Sequence, residues 1–560
     1  KTNKSLPLMS PFCNRLVSCV TMYRFRNIFF ITPFIVSFIL GLNFQWYIIG
    51  TCLDTSDEEL HRIEGTKHFH TEDPKLQTHS TNGSFKNKEV VENATASESV
   101  TPSVLEMPVT SSLVSSVSIS PPPYNQGKHM YGKIFSKDES NASTKIGGDI
   151  YTVRVVFEEI QHSFTVLPVD HNNGTYSFSF PLLWNGTVRI EVELVLTSAG
   201  ASYLKMMLDE NYIINYWTNR AVYKGNGTEE TVSCNVNSSL NQDYCDLTKF
   251  NGETTWFCQK PSRHSCDSFT YDQKAIRLPE DFHQVRHLIA MDGGYVHRKL
   301  PSVTMKVDAN TTFQLPNSPS RPLYGLSVMR PQGYFKKDQW VSLLYQNKKY
   351  NLSQIIECCR NKTMVFYGDS NARKLLEALS AKVAEYKEKQ EQEENFGQFT
   401  PFGMNSQYIT YGHQISHTDP SWVHSIEDVF SNPRKDVDVI VVSVWAHFIF
   451  FKQHILMERF INLRSRLIKW KSLYPKVEIF IRSPHLRDAL YNYHQPITFN
   501  NYNGREAYRL FNIVFNNTPF YIMEMWEMTV AYGAPLDIHP PGEVVEQTLQ
   551  QLINGICPQQ

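Results

Sequence analysis

Neither sign of charge is in excess: 54 Lys and Arg stand against 55 Asp and Glu in 560 residues. With no net positive charge and no Lys/Arg-rich stripe, the chain lacks what a phosphate-binding surface needs, and nucleic acid is not an expected partner. No G-x-x-x-x-G-K-[ST] sequence and no paired glycine-rich fingerprint accompanies a strand–helix unit, so nucleotide chemistry has no support. Cys234, Cys245, Cys258 and Cys266 contain no C-x-x-C pair, which removes the usual zinc pattern; no metal site and no permanently bound cofactor are expected. Aromatic residues, by contrast, make up 13% of the chain, enough apolar surface to exclude wholesale disorder. The length allows two or three domains at roughly 100–200 residues each, plus linkers.

Charge is wholly absent from Ile28 to Ile49, a run of 22 residues and the length at which an apolar helix spans a bilayer. Lys1, Lys4, Arg15, Arg24 and Arg26 precede it, so residues 1–27 are expected on the cytoplasmic side and the remainder in the lumen or outside the cell. Trp46 and Tyr47 fall where an interfacial aromatic belt would lie. A signal anchor is favoured over a cleaved signal peptide, because the run exceeds the usual apolar core and no small-x-small site comes after it; cleavage would instead release a secreted chain. Sequons after the span support a glycosylated, lumenal chain: Asn82, Asn93, Asn141, Asn173, Asn185, Asn226, Asn237, Asn310, Asn351, Asn361 and Asn516. Eight cysteines also lie beyond it, including Cys52, an even number that suggests disulfides in an oxidising compartment. The adjacent Cys358 and Cys359 are expected to have separate partners, Cys557 being a candidate for one of them.

Composition divides the chain beyond the apolar run. Residues 50–128, rich in Ser, Thr, Glu and Lys and containing SSLVSSVSISPPP (111–123), read as a flexible stem. His68 and His70 lie in it without an assigned role. Residues 129–225 hold short β-branched and aromatic runs broken by Asn-Gly and Pro, the pattern of a β-sandwich, and 226–320 reads as a Cys-rich linking region. In residues 321–560 the rhythm changes. TMVFYGDS (363–370), DVDVIVVSVWAHF (436–448), VEIFIRSP (477–484) and TPFYIMEMW (518–526) are buried-strand runs between helical stretches, which predicts a mostly parallel sheet covered on both faces. Ligands bind such sheets beyond the carboxyl ends of the strands, which puts Ser370, the Trp445–His447 turn and the Arg482–His485 turn on one rim.

Ser370 stands where a strand passes into a helix, so its hydroxyl can be exposed while helix N-terminal amides donate to an oxyanion. His539, just before the last helical stretch, is the candidate base, and Asp537 the candidate orienter; together they are the parts for acyl transfer through a serine ester. A Ser or Asp at a helix start is also the commonest N-cap, so it is the strand before Gly368-Asp369-Ser370 and the late Asp/His pair that favour chemistry. The charged stretch 385–397 reads as a solvated helix end. The Tyr-rich region 490–510 reads either as a packed loop or as an aromatic surface for sugar rings.

A strand, Gly-Asp-Ser, a helix and a late Asp/His pair resemble the SGNH hydrolase superfamily, in particular its PC-esterase branch. The whole arrangement, with DHNNGTYSFSFPLLWNGTV (170–188), FYGDSNARK (366–374), SVWAHF (443–448) and DIHPP (537–541), resembles the NXPE family of neurexophilin and PC-esterase domain proteins from about residue 130 onward. The resemblance implies a neurexophilin-like, immunoglobulin-type β-sandwich and, after it, an α/β/α SGNH-hydrolase-like domain. It also implies O-acetyl transfer to a glycan such as sialic acid, with acetyl-CoA the expected donor and a Golgi or other secretory-pathway membrane the expected place. An O-acetyl esterase and a non-catalytic ligand or adhesion protein are the alternatives. By the same resemblance Ser370 matches the nucleophile and His539 the base, whereas the superfamily's Asp-x-x-His is one residue longer than Asp537-x-His539 here. That leaves the triad acid open. Gly368, Asp369 and His447 are candidates near the oxyanion or substrate, His447 having a structural role beside Trp445 as its alternative. Arg482 is a candidate to pair with a sialic carboxylate, or else a surface residue, and Arg373 is expected to solvate its helix.

Overall fold

The computed structural model describes residues 104–557, apart from 210–216, 236–242, 249–254, 277–281, 290–297, 391–397, 401–425, 488–496 and a few isolated positions, His447 among them. The N-terminal tail, the apolar run 28–49, most of the stem, Cys52, Asn82, Asn93 and Asn237 lie outside the described residues. Among the described residues no helix is long and apolar enough to cross a membrane.

The described chain opens on the strands β1 (Ser116–Ile119), β2 (His129–Phe135), β3 (Ile150–Phe157), β4 (His162–Val166), β5 (Val169–Asp170), β6 (Thr175–Pro181) and β7 (Gly186–Leu196). Helix α1 (Ser198–Asp209) comes next, then β8 (Trp217–Gly225), β9 (Thr228–Asn235), β10 (Tyr244–Asp246), β11 (Phe257–Gln259), β12 (Phe269–Ile276) and α2 (Phe282–Ile289). The chain then returns through β13 (Val303–Val307), β14 (Gly333–Lys336) and β15 (Gln339–Ser342) to the first unit. One antiparallel sheet has the order β1-β2-β6-β5 and the other β13-β7-β3-β4-β14-β15. This is the A-B-E-D against G-F-C-C′ order of an immunoglobulin-type sandwich, with β13 as its last strand and the β14–β15 hairpin extending the second sheet.

Strict alternation builds the first sheet. In β2, Met130 and Ile134 face the core while His129, Tyr131, Lys133 and Phe135 face out, and in β6 Tyr176, Phe178 and Phe180 face in. They meet Val153, Val155, Phe157, Phe164, Val188 and Ile190 from the second sheet. Strands β3 and β4 are buried on both faces because a C-terminal helix covers their outer side.

These pairings correct two boundaries. Residues 104–128, read as stem, are folded: β1 pairs with β2, and Thr110 and Ser136 hydroxyls donate to the buried Asp149 carboxylate. The sandwich does not end near 225, because β13 completes it at 303–307 by pairing with β7. Pairing partners about a hundred residues apart leave no local signature in a five-residue strand. Residues 198–300 are an insertion before that last strand, with its own sheet, β10-β11-β9-β8-β12. Cys234–Cys258 joins register partners in β9 and β11, and Cys245–Cys266 ties β10 to the turn before β12.

The last unit comprises α3 (Leu352–Cys359), β16 (Thr363–Gly368), α4 (Ser370–Gln390), β17 (Gln398–Thr400), α5 (Ile426–Phe430), β18 (Val439–Ser443), α6 (Gln453–Leu473), β19 (Glu478–Arg482), α7 (Asn501–Phe515), β20 (Tyr521–Met523), α8 (Met525–Tyr532) and α9 (Gly542–Ile556). Its strands are all parallel, in the order β17-β16-β18-β19-β20. Met364, Phe366, Val439 and Val441 pack under α3, α4 and α9 on one face. On the other, Tyr367 meets Phe430, which meets Trp470. Cys358–Cys557 links α3 to the end of α9, and Cys359 is a buried free thiol. Helix α8 is the element that covers β3 and β4.

Candidate active site

In the order β17-β16-β18-β19-β20, β17 is added on one side of β16 and β18 on the other, so β16 and β18 flank the switch point at which open α/β sheets leave a crevice. Gly368 ends β16 there with φ +143°, and an added Cβ would stand 1.9 Å from the Ser443 carbonyl oxygen of β18. Only a glycine lets the two strands lie this close. The next amide, of Asp369, donates to that same oxygen at 2.8 Å.

Asp369 is buried, and its carboxylate knits the rim together. Oδ1 accepts from the Asn371 amide and side chain at 2.9 and 3.0 Å, while Oδ2 accepts from the Ala446 amide at 2.9 Å. One carboxylate thus fixes both the first turn of α4 and the loop after β18. Ser370, held by that turn, opens α4 and is half-buried, and its Oγ lies 2.7 Å from His539 Nε2. His539 sits in the α8–α9 connection, with Pro540 and Pro541 leading into α9. Its pKa is lowered, first by burial, with Asp369 opposing and Lys374, Arg482 and Arg487 reinforcing. The imidazole is therefore held neutral, able to accept the Ser370 proton at Nε2.

A second histidine sets the first. His485 is fully buried after β19; its Nδ1 accepts from Arg482 Nη1 at 3.3 Å, and its Nε2 donates to the carbonyl of Ile538, the residue before His539, at 3.2 Å. Burial, with Arg482 and Arg487, pushes its pKa far down, which keeps the one tautomer those bonds need. Arg487 lies 4.6 Å over the Trp445 ring. Burial lowers Arg482 to about 10 and Arg487 to about 9, with Asp369 opposing in both cases.

The other side of the His539 loop is held by the sandwich. Arg154 Nε and Ser163 Oγ donate to the Ala531 carbonyl at the end of α8, at 2.9 and 2.7 Å, and Gly533 closes the helix in the left-handed region beside Arg154. At the other end of α8, Glu524 Oε1 accepts from the Trp526 and Glu527 amides. Glu527 pairs with Arg330 at 2.6 Å.

The sequence-predicted residues fare unevenly. Gly368, Asp369, Ser370 and His539 come together. Asp537 is exposed, its Oδ1 accepting from its neighbour Ile538 at 2.6 Å, and it makes no bond to His539 among the described residues. With only one residue between them, its carboxylate turns to the backbone rather than to the ring. Arg482 is buried and engaged with His485, so it meets neither solvent nor a sialic carboxylate directly. His447 lies outside the described residues. Arg373 is half-buried and pairs with Glu377 one helical turn on. Of the Tyr-rich region, Tyr508 is buried and donates to Glu524 at 3.0 Å, a core contact. Among the described residues no cluster of three or more His, Cys, Asp or Glu could hold a metal.

Residues 111–281 match the family model described as Neurexophilin, and residues 340–557 match that described as NXPE family member 4-like, C-terminal domain. The chain belongs to the NXPE family. The Ser370–His539 contact falls inside the C-terminal match, whose domain is PC-esterase-like. In this NXPE chain the sandwich outruns the neurexophilin match, since β13 and β14 lie between the two matched regions. The three disulfides among its described residues belong to a secretory or extracellular environment.

Proposed function

We propose that this NXPE chain is a glycan O-acetyltransferase of the secretory pathway, with its folded part lumenal and the apolar run 28–49 as its anchor. The observation that carries the reading is the 2.7 Å contact between Ser370 Oγ and His539 Nε2 at the sheet's switch point. Acetyl-CoA is the proposed donor and a sialylated glycan or glycoprotein the proposed acceptor.

In the first half, Ser370 Oγ attacks the thioester carbonyl while His539 takes its proton. The C–S bond breaks, the leaving thiolate takes the proton from His539, and acetyl-Ser370 remains. In the second half, a sugar hydroxyl gives its proton to His539 and attacks the serine ester. The C–O bond to Ser370 breaks, the proton returns to Oγ, and the sugar leaves acetylated. At the start of α4 the Ser370 amide is the proposed donor to the developing oxyanion, since the amides of Asn371, Ala372 and Arg373 are bonded to Asp369.

Incubating the purified chain with acetyl-CoA and a sialylated acceptor, then measuring acceptor O-acetylation by mass spectrometry, tests this. A gain with the wild type and none with Ser370→Ala is expected. Loss of preformed O-acetyl groups with no gain on the acceptor means the acyl group goes to water, and the chain is then an esterase. Equal acetylation by Ser370→Ala rejects the site altogether.

A further inference from the structure

The outer face of the first sheet has a composition the sandwich core does not require. On β2 the outward residues are His129, Tyr131, Lys133 and Phe135, and Tyr131 keeps 60% of its surface exposed. His129 faces Pro181, but for the other three each neighbour across the ladder is a small hydroxyl residue. Tyr131 lies between Ser120 and Ser179, Lys133 between Ser118 and Ser177, and Phe135 between Ser116 and Thr175. A central stripe of rings and a cation is thus flanked on both sides by hydroxyls standing lower than it does.

The face is also concave. A cavity of about 680 Å³ runs over it, walled on one side by the exposed apolar Leu167 and Val169, and that volume suits an oligosaccharide segment. Among the described residues Lys133 and Arg330 are the only charged ones lining it; Arg330 is paired with Glu527, whereas Lys133 has no ion-pair partner among them. The cavity shares no lining residue with the Ser370–His539 site.

We propose that this face of the sandwich is a second binding site, for an anionic oligosaccharide. Tyr131 stacks on the apolar face of a sugar ring, the flanking serines bond its hydroxyls, and Lys133 pairs with a carboxylate or sulfate on the glycan. Rings, hydroxyls and the unpaired Lys133 answer a glycan better than a peptide, which would add along the sheet's edges, β1 and β5, rather than lie across the β2–β6 stripe that carries these groups. The site holds glycan independently of acyl transfer, and would tether an acceptor chain to the same molecule.

The full chain carrying Ser370→Ala, which cannot turn over a bound glycan by that serine, is titrated against sialylated, sulfated and neutral oligosaccharides. Saturable binding of the anionic glycans is expected, the sialylated and sulfated arms telling a carboxylate from a sulfate ligand. Adding Tyr131→Ala weakens it by about tenfold or more, Tyr131→Trp retains it, and Lys133→Gln erases the preference for anionic over neutral glycans. An unchanged melting temperature in Tyr131→Ala shows that the fold is intact. Absence of glycan binding by the parent, or binding untouched by Tyr131→Ala, overturns the proposal. Acetyl transfer that survives Ser370→Ala would reject the catalytic reading and leave this binding result standing.

Discussion

Asp369 makes more of the site than its size suggests. Replacing it with Asn keeps the volume but puts an NH2 where one of the two oxygens stood, so either the Asn371 or the Ala446 amide faces a donor and is left unpaired, at a cost of roughly 1–3 kcal/mol. The expected result for Asp369→Asn is a lower melting temperature together with loss of acyl transfer, read by calorimetry and by the acceptor assay. His485 acts one step further out: it never reaches the reacting atoms, yet it holds the Ile538 carbonyl beside His539. His485→Gln should lower kcat by up to about 100-fold with little change in KM, because the base is displaced while substrate contacts stay. The depressed pKa of His539 carries its own prediction. A lowered value means the neutral base persists as pH falls, so the acidic limb of kcat/KM should lie below 6.5, the ordinary histidine value. Glycosylation is also decided residue by residue. Asn141, Asn173, Asn185, Asn226, Asn351, Asn361 and Asn516 are exposed, whereas Asn310 is half-buried and its Nδ2 donates to the Gln126 carbonyl. Site-occupancy mass spectrometry should find Asn310 the least modified of these eight.

Helix α8 is the element on which the two architectures meet. Its N-terminal end takes Glu524 as a cap, its C-terminal carbonyls take Arg154 and Ser163 from β3 and β4, and the chain then runs straight into the His539 loop. Arg154→Ala removes a charged donor from a helix C-terminus and should cost about 1–2 kcal/mol of stability. It should also lower acyl transfer, although Arg154 lies on the sandwich; unchanged activity at full folding would mean that the sandwich does not position the base. The strands and helices of the parallel sheet were legible because each is a continuous local pattern: FYGDSNARK announces strand, turn and helix within nine residues. What composition hid were elements defined by distant partners. Strand β1 lies in a Ser-rich segment that reads as linker, yet it pairs with β2, and β13 is five ordinary residues until β7 is placed beside it. The rim position of the Arg482–His485 turn was legible, but the role of His485, and Arg487 altogether, escaped for the same reason, since a buried His bonding a carbonyl 53 positions away has no sequence spacing to betray it.

At the scale of the whole molecule, an immunoglobulin-type sandwich with an inserted, disulfide-stapled sheet is joined to a parallel α/β unit. The Cys358–Cys557 bridge spans 199 positions and closes nearly the entire α/β unit. Its loss should cost about 3–5 kcal/mol on loop-closure grounds, so the Cys358→Ser variant should unfold at markedly lower denaturant. Global stability should also respond to pH through two buried groups of opposite sign. His485 has a depressed pKa, so its contribution is present above 6.5 and is lost as pH falls. Burial raises Glu527 to about 7, with Arg330 opposing and Glu524 reinforcing, so its contribution is full below 4.5 and is lost as pH rises through about 7. The two readings of the molecule, a serine site at the sheet's switch point and a sugar-binding sandwich, meet in one expectation, that a glycan is both held and acetylated. The measurement that bears most directly on it is mass spectrometry of the chain quenched in acid after exposure to acetyl-CoA. An acetyl group on the Ser370 peptide, discharged when a sialylated acceptor is added, is the predicted result. Acceptor acetylation by a Ser370→Ala chain would contradict it.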